Sequence, residues 1–183
     1  LNLPDEGCDS ILGNYTGAGT IFGVTGGVME AALRSAYYLI TKEDLKKVEF
    51  ESVRGMDGVK VAEVDIKGTR VKIAVAHQMG NIEQVLNAIR EDREAGRKPR
   101  FDFIEVMACP GGCIMGGGQP RSDDPEVSRK RMEAIYREDE GKTRRKSHDN
   151  PDIAALYAEF LGEPLGHISH ELLHTVYTAR SKY

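Results

Sequence analysis

Cys109 and Cys113 lie in the string "MACPGGCIMGGGQP", with Pro110, Gly111 and Gly112 between them and Gly116, Gly117 and Gly118 close behind. Thiolates are soft metal ligands, nucleophiles and redox groups, so a close pair of cysteines in a loop raises a chemical question first. Three readings are open. The first is a turn that carries two incidental thiols. It is disfavoured, because inert cysteines belong to buried core elements and this loop holds five glycines between 111 and 118. The second is a structural zinc site, which needs four ligands, commonly as two short pairs. The sequence offers no second pair, and Cys8 with a scattered histidine is a poor substitute. The third is an iron–sulfur cluster, held by several thiolates and tuned by hydrogen bonds to sulfur. Glycines serve it well: backbone N–H groups reach an anionic cluster with no Cβ in the way, and unusual dihedrals are allowed. Pro110 stiffens the loop and removes one donor. A C-x3-C pair alone is weak; its glycine setting favours the cluster.

Other residues invite chemistry less strongly. His167, His170 and His174 share one helical face, roughly opposite Ile168 and Leu172, and read better as a solvent or partner face than as a metal site. His77 follows a strand and reads as a hydrogen-bonded loop residue. The basic run "KTRRKSH" at 142–148 is flanked by acids and reads as a solvated linker, with docking of an acidic electron carrier as the alternative. Glu30 sits in the first turn of a helix, where the backbone dipole alone favours a carboxylate.

The elements that must position the cysteine loop follow from periodicity. In "TGGVMEAALRSAYYLI", Val28, Ala31, Ala32, Ala36 and Leu39 recur at helical spacing, predicting a helix from about Thr25 to Ile40 that opens on Gly26–Gly27. "VKVAEVDI" and "TRVKIAVA" alternate and are joined by Lys67–Gly68, a hairpin signal; the second run ends in the continuous apolar pattern of a buried strand. Ile82, Val85, Leu86 and Ile89 mark the next helix. "FDFIEVM" is a short strand feeding directly into the cysteine loop. Strand, helix and strand around one sheet predict an α/β or α+β fold.

Beyond Gln119 the chain becomes highly charged, with Pro125 placed as a first helical residue after Asp124. Asn150–Pro151 opens a further helix carrying Ile153, Leu156, Tyr157, Phe160 and Leu161, and a last one starts near Gly166. This tail has little core of its own.

The 183 residues suit one globular domain with an appendage, at 40% hydrophobic and 30% charged residues and a net charge of −4. No apolar run reaches the roughly 18 residues of a membrane span. The acidic balance argues against nucleic acid. Three cysteines are too few and too odd in number for a disulfide framework, which implies a reducing compartment and a cytoplasmic location. The start "LNLPDEGCDS" lacks the regions of a signal peptide, and its Leu1 implies that the true N-terminus lies elsewhere.

"MACPGGCIMGGGQP" resembles a signature of the iron-only (FeFe) hydrogenases, in the domain that holds the H-cluster. "FGVTGGVMEAALRSA" resembles a second signature of that family, and "HDNPDIAALYAEFLGEPLGHISHELLHTVY" is similar to its helical small-subunit segment. The resemblance covers essentially the whole chain. It implies one lobe of a two-lobed α/β catalytic domain, a mixed sheet with flanking helices over 1–124, then a helical C-terminal extension over 125–183. It also implies a cofactor: a 4Fe–4S cubane bridged to a two-iron centre with CO, cyanide and dithiolate ligands. By motif match Cys109 and Cys113 would ligate the cubane, Cys113 would supply the bridging sulfur and so be catalytic, and Phe22 and Met107 would pack near the two-iron centre. The implied activity is reversible reduction of protons to H2, linked to ferredoxin, another redox subunit or NAD(P).

The family uses four cysteine ligands, and this chain carries two. Motifs resembling "TSCCP" and "MPC-x-x-K-x-x-E", which bear the others, do not occur here. The implied partner is therefore the N-terminal half of the catalytic domain, on the same or another chain, and the isolated chain is expected to be inactive. Cys8 matches no ligand motif. The alternatives are a non-catalytic iron–sulfur assembly protein, similar to nuclear prelamin A recognition factor, or a sensory or structural subunit. Such assembly proteins usually carry Ser where Gly111 stands.

Overall fold

The structure is a computed structural model that describes Glu6 and residues 12–46, 51–52 and 58–181. Cys8 lies outside the described residues. The chain divides into two compact units, Thr16–Ser147 and Leu1–Tyr15 with His148–Tyr183.

The larger unit contains α1 (Gly17–Ile21), α2 (Gly27–Thr41), β1 (Glu51–Ser52), β2 (Val59–Ile66), β3 (Thr69–His77), α3 (Met79–Glu94), β4 (Phe103–Met107) and α4 (Pro125–Glu140). The strands form one mixed sheet in the order β1-β2-β3-β4. β2 and β3 are a hairpin in which Ile66 faces Thr69 across a two-residue turn. Lys67 (φ 51°) and Gly68 (φ 84°) are both left-handed, the backbone that matches strand twist, and Asp65 accepts the Gly68 N–H at 2.9 Å. β4 pairs with β3 in parallel, from Ile73 opposite Phe103 to His77 opposite Met107, with α3 as the crossover.

Helices cover both faces of the sheet. Met29 and Leu33 of α2 pack on Val64, Ile66, Ile73 and Val75. Ile82 and Val85 of α3 pack on Val59 and Ala76 from the other side. β3 is therefore buried on both faces from Ile73 to Ala76, which is why its apolar run loses the two-residue alternation. Ile73 and Val75, taken from water, each contribute about 1.5–3 kcal/mol. The architecture is α/β, with the ends of β3 and β4 delivered to one side.

α4 starts on Asp124, whose carboxylate accepts the Glu126 N–H at 2.9 Å, with Pro125 as first helical residue. Its Ile135 and Tyr136 pack on Ala18, Ile21 and Ala31. By packing, then, α4 lies in the sheet-bearing unit.

In the smaller unit, α5 (Pro151–Leu156) is capped by Asn150, which accepts the Asp152 N–H at 3.0 Å and donates to the Asn14 carbonyl at 2.9 Å. A π-turn over Tyr157–Leu161 ends at Gly162 (φ 77°), and α6 spans His167–Leu173. Among the described residues, no helix is long and apolar enough to cross a membrane.

Candidate metal centre

β4 ends at Met107, and the chain turns at once into the cysteine loop. Gly111 (φ 74°) and Gly112 (φ 97°) take left-handed dihedrals that reverse it, and Cys113–Met115 form one short 3-10 turn. Two backbone hydrogen bonds stitch the loop to the glycine turn ahead of α2. Thr25 donates its N–H to Gly111 O at 3.0 Å, and Ile114 donates its N–H to Gly23 O at 3.0 Å. A Cβ on Gly112 would stand 2.7 Å from Thr25 N, 2.9 Å from Gly23 O and 3.0 Å from Met107 Sδ, so only glycine permits this approach.

The structure thus brings both signature strings into one place. Cys113 is exposed and Cys109 half-buried, and neither is in a disulfide. A Cβ on Gly116 would lie 3.6 Å from Cys109 Sγ, so the second glycine group folds back over that thiol. Met107 is half-buried beside Gly112, and Phe22, the residue before Gly23, is 45% exposed. Two unbridged thiols of soft donor character, one open to solvent, with glycine backbone around them, fit an iron–sulfur group that takes its further ligands elsewhere. Among the described residues, no group of three or more His, Cys, Asp or Glu is assembled.

Sequence reading missed what holds the glycine turn. Glu105, on β4, is only 5% exposed, and its carboxylate accepts the N–H of Gly26 at 2.6 Å and of Met29 at 2.7 Å. A charged acceptor at the first turn of α2 satisfies donors that the helix leaves unpaired and sits at the favourable end of its dipole. β4 therefore fixes both partners, the cysteine loop by continuing into it and the glycine turn through Glu105. The signal was present as one acid within the apolar strand "FIEVM".

Several expectations need correction. Glu30 is not placed by the helix dipole alone: it pairs with Arg34 at 2.6 Å and accepts from the Tyr136 hydroxyl at 3.0 Å. Burial and the Glu30 charge together push the Tyr136 hydroxyl well above its usual range. His77 is the last residue of β3 rather than a loop residue, and its Nδ1 is buried without a hydrogen-bond partner among the described residues. Burial, then the Lys60 charge, lower its pKa. The basic run is not a solvated linker: the carbonyls of Arg144 and Arg145 accept from Gly17 and Ala18, Arg145 pairs with Asp139, and Lys146 pairs with Asp44. In the smaller unit His167 faces Glu171 at 3.9 Å, and the rings of His170 and His174 meet edge to face at 4.3 Å.

Residues 1–117 match the family model described as iron only hydrogenase large subunit, C-terminal domain, and residues 125–180 match iron hydrogenase small subunit. The NADP-reducing hydrogenase subunit HndD of Solidesulfovibrio fructosivorans is 55% identical over 98% of this chain, which covers 30% of that protein. A solved variant of FeFe-hydrogenase HydA1 from Chlamydomonas reinhardtii superposes with a TM-score of 0.72 at 41% identity, over 97% of this chain and 50% of that one. At a greater distance, Protein NAR1 of Arabidopsis thaliana is 28% identical over 96% of this chain and 37% of its own length. The chain spans about a third of these curated relatives and half of the solved one.

Proposed function

The chain belongs to the iron-only hydrogenases, and from that membership we propose that it forms the C-terminal half of a catalytic domain that interconverts two protons and two electrons with H2. The observation that carries this reading is the stitching of the cysteine loop to the glycine turn, which sets two thiols in a glycine-walled corner with Cys113 exposed.

Cys109 and Cys113 would hold the cubane of the H-cluster as thiolates, and the Cys113 sulfur would also bridge to the two-iron centre. When bound, the cluster would relay the electrons and supply the open metal site and the proton-carrying amine of the reaction. The chain's own residues position and shield it. Gly112 admits the loop against the turn, Glu105 fixes the turn, and Met107 and Phe22 offer a thioether and an aromatic ring that would exclude water near the two-iron centre. The remaining ligands would come from the complementary half of the domain, and electrons from a ferredoxin or other redox subunit. Gly111 supports hydrogenase over the iron–sulfur assembly reading: at φ 74° a side chain would be strained, and its Cβ would stand 3.2 Å from Ser128 Oγ.

The test is anaerobic expression with the maturation machinery, with and without the complementary half of a catalytic domain. The expected result is CO and cyanide infrared bands and H2 evolution only when both halves are present. Bands from the 183-residue chain alone, or none from the assembled pair, would refute the proposal.

A further inference from the structure

Arg131 contacts the cysteine loop and, among the described residues, no group of opposite charge. It reaches from α4 and donates to Ile114 O at 2.7 Å, to Pro120 O at 2.8 Å and toward Met115 Sδ at 3.4 Å. Its other charged neighbours on α4 behave differently. Arg129 pairs with Glu126 and Glu133, while Asp139 takes up the charge of Arg34 and Arg145. No carboxylate among the described residues pairs with Arg131, so its guanidinium keeps its charge beside the loop.

The two carbonyls it grips bracket Met115–Gln119, the glycine stretch that folds back over Cys109. Gly117 and Gly118 have nothing within 4 Å of a built Cβ, so their surroundings do little to hold them. Glycines lose more conformational freedom on ordering than any other residue, so this stretch needs an external tie. A planar guanidinium that meets two carbonyls at once provides it. α4 is a firm base, because Arg131, Ile135 and Asp139 fall at i, i+4 and i+8 on one face, and the last two are packed or ion-paired.

The charge also has a route toward the ligand. Arg131 bonds the carbonyl of the Ile114–Met115 peptide, whose N–H donates to Gly112 O at 3.1 Å. That carbonyl belongs to the same peptide unit as the Cys113 N–H. Hydrogen bonds in series polarise one another, so the cation makes the Cys113 amide a stronger donor toward negative charge at its own sulfur.

We propose that Arg131 is a positioning residue through which α4 holds the cysteine loop in its ligating shape and stabilises negative charge on the group bound there. Its second part rests on the iron–sulfur reading of the site; its first does not.

The experiment uses the chain assembled with the complementary half of the domain, as wild type, Arg131→Gln and Arg131→Lys. Two readouts are taken: hydrogen exchange of the 113–119 amides in cluster-free protein, and the midpoint potential of the 4Fe–4S cluster by redox titration followed by electron paramagnetic resonance. In Arg131→Gln, loop exchange should rise roughly tenfold, as expected for loss of a charge-assisted hydrogen bond, and the potential should become more negative. In Arg131→Lys, the potential should stay near wild type while exchange remains raised, because an ammonium carries the charge without the fork. Unchanged loop exchange in Arg131→Gln overturns the positioning role. An unmoved potential, or equal shifts in both variants, overturns the electrostatic role. A wild-type assembly that binds no cluster overturns the hydrogenase reading instead, and the exchange data still decide the clamp.

Discussion

The cysteine loop and the Asp139 cluster lie in the same compact unit, and both are built from polar groups at places where helices and loops meet. Asp139 is fully buried, takes two hydrogen bonds from Arg34 at 2.8 Å and two from Arg145 at 2.6 and 3.3 Å, and abuts Gly17, where a Cβ would lie 1.9 Å from its oxygen. With Glu30 and Tyr136 the cluster closes on itself as two cations and two anions. Around Cys109 and Cys113 the reverse holds: backbone is bonded to backbone, Arg131 meets loop carbonyls rather than a carboxylate, and Cys113 is left open. Charges that satisfy one another make a joint. Donors that are held in place without partners make a site.

The largest effect should come from the thiols. With the complementary half supplied, Cys113→Ser should abolish H2 evolution by gas chromatography even where a cubane assembles, because the sulfur proposed to bridge to the two-iron centre would be gone. Cys109→Ser should leave a damaged cluster with residual turnover, and Cys8→Ser should be nearly silent. Equal losses at Cys8 and Cys113 would show the ligands to be misassigned. Neither Cys109→Ser nor Cys113→Ser should lower the urea midpoint much, since neither thiol is fully buried.

Breaking the Asp139 cluster should give the opposite profile. Asp139→Asn leaves Arg34 and Arg145 without their buried counter-charge and should cost about 3–5 kcal/mol in urea unfolding. Burial would raise the Asp139 pKa, but hydrogen bonds from Arg34 and then Arg145 outweigh it and hold it below the ordinary carboxylate value. Its stabilisation is therefore complete above about pH 4 and is lost as pH falls through the depressed folded value. Urea midpoints between pH 5 and pH 2.5 should show a steeper acid limb in wild type than in Asp139→Asn, which keeps the share of Asp92 and Asp102. An identical acid limb in both proteins would assign it to other carboxylates.

The smallest effect lies between the two regions. Glu105→Gln keeps the shape but loses the charge and one of its two acceptor oxygens, and should cost about 1–3 kcal/mol. Exchange should quicken at Gly26 and Met29 before it does anywhere in β2 or β3. If those amides stay protected, the carboxylate is not what fixes the turn.

Much was legible in the sequence because it is local. The Lys67–Gly68 hairpin follows from turn chemistry, α2 and α3 from apolar periodicity, and the α4 and α5 starts from Asp124–Pro125 and Asn150–Pro151. The cysteine loop stood out because two close thiols among five glycines are visible in the order of residue types alone. What the tertiary structure alone decided is pairing at a distance. Glu105 became a cap, Arg34 the partner of Asp139 and Glu30 the acceptor of the Tyr136 hydroxyl only once β4, α2 and α4 were brought together, since a charge has the same sequence signature whether it meets water or a counter-ion. The sequence by itself determined which groups could react and that they sit in a glycine-rich turn. Only the fold decided that Gly112 meets Gly23 and Thr25, because hydrogen bonds between segments so far apart leave no periodic trace along the chain.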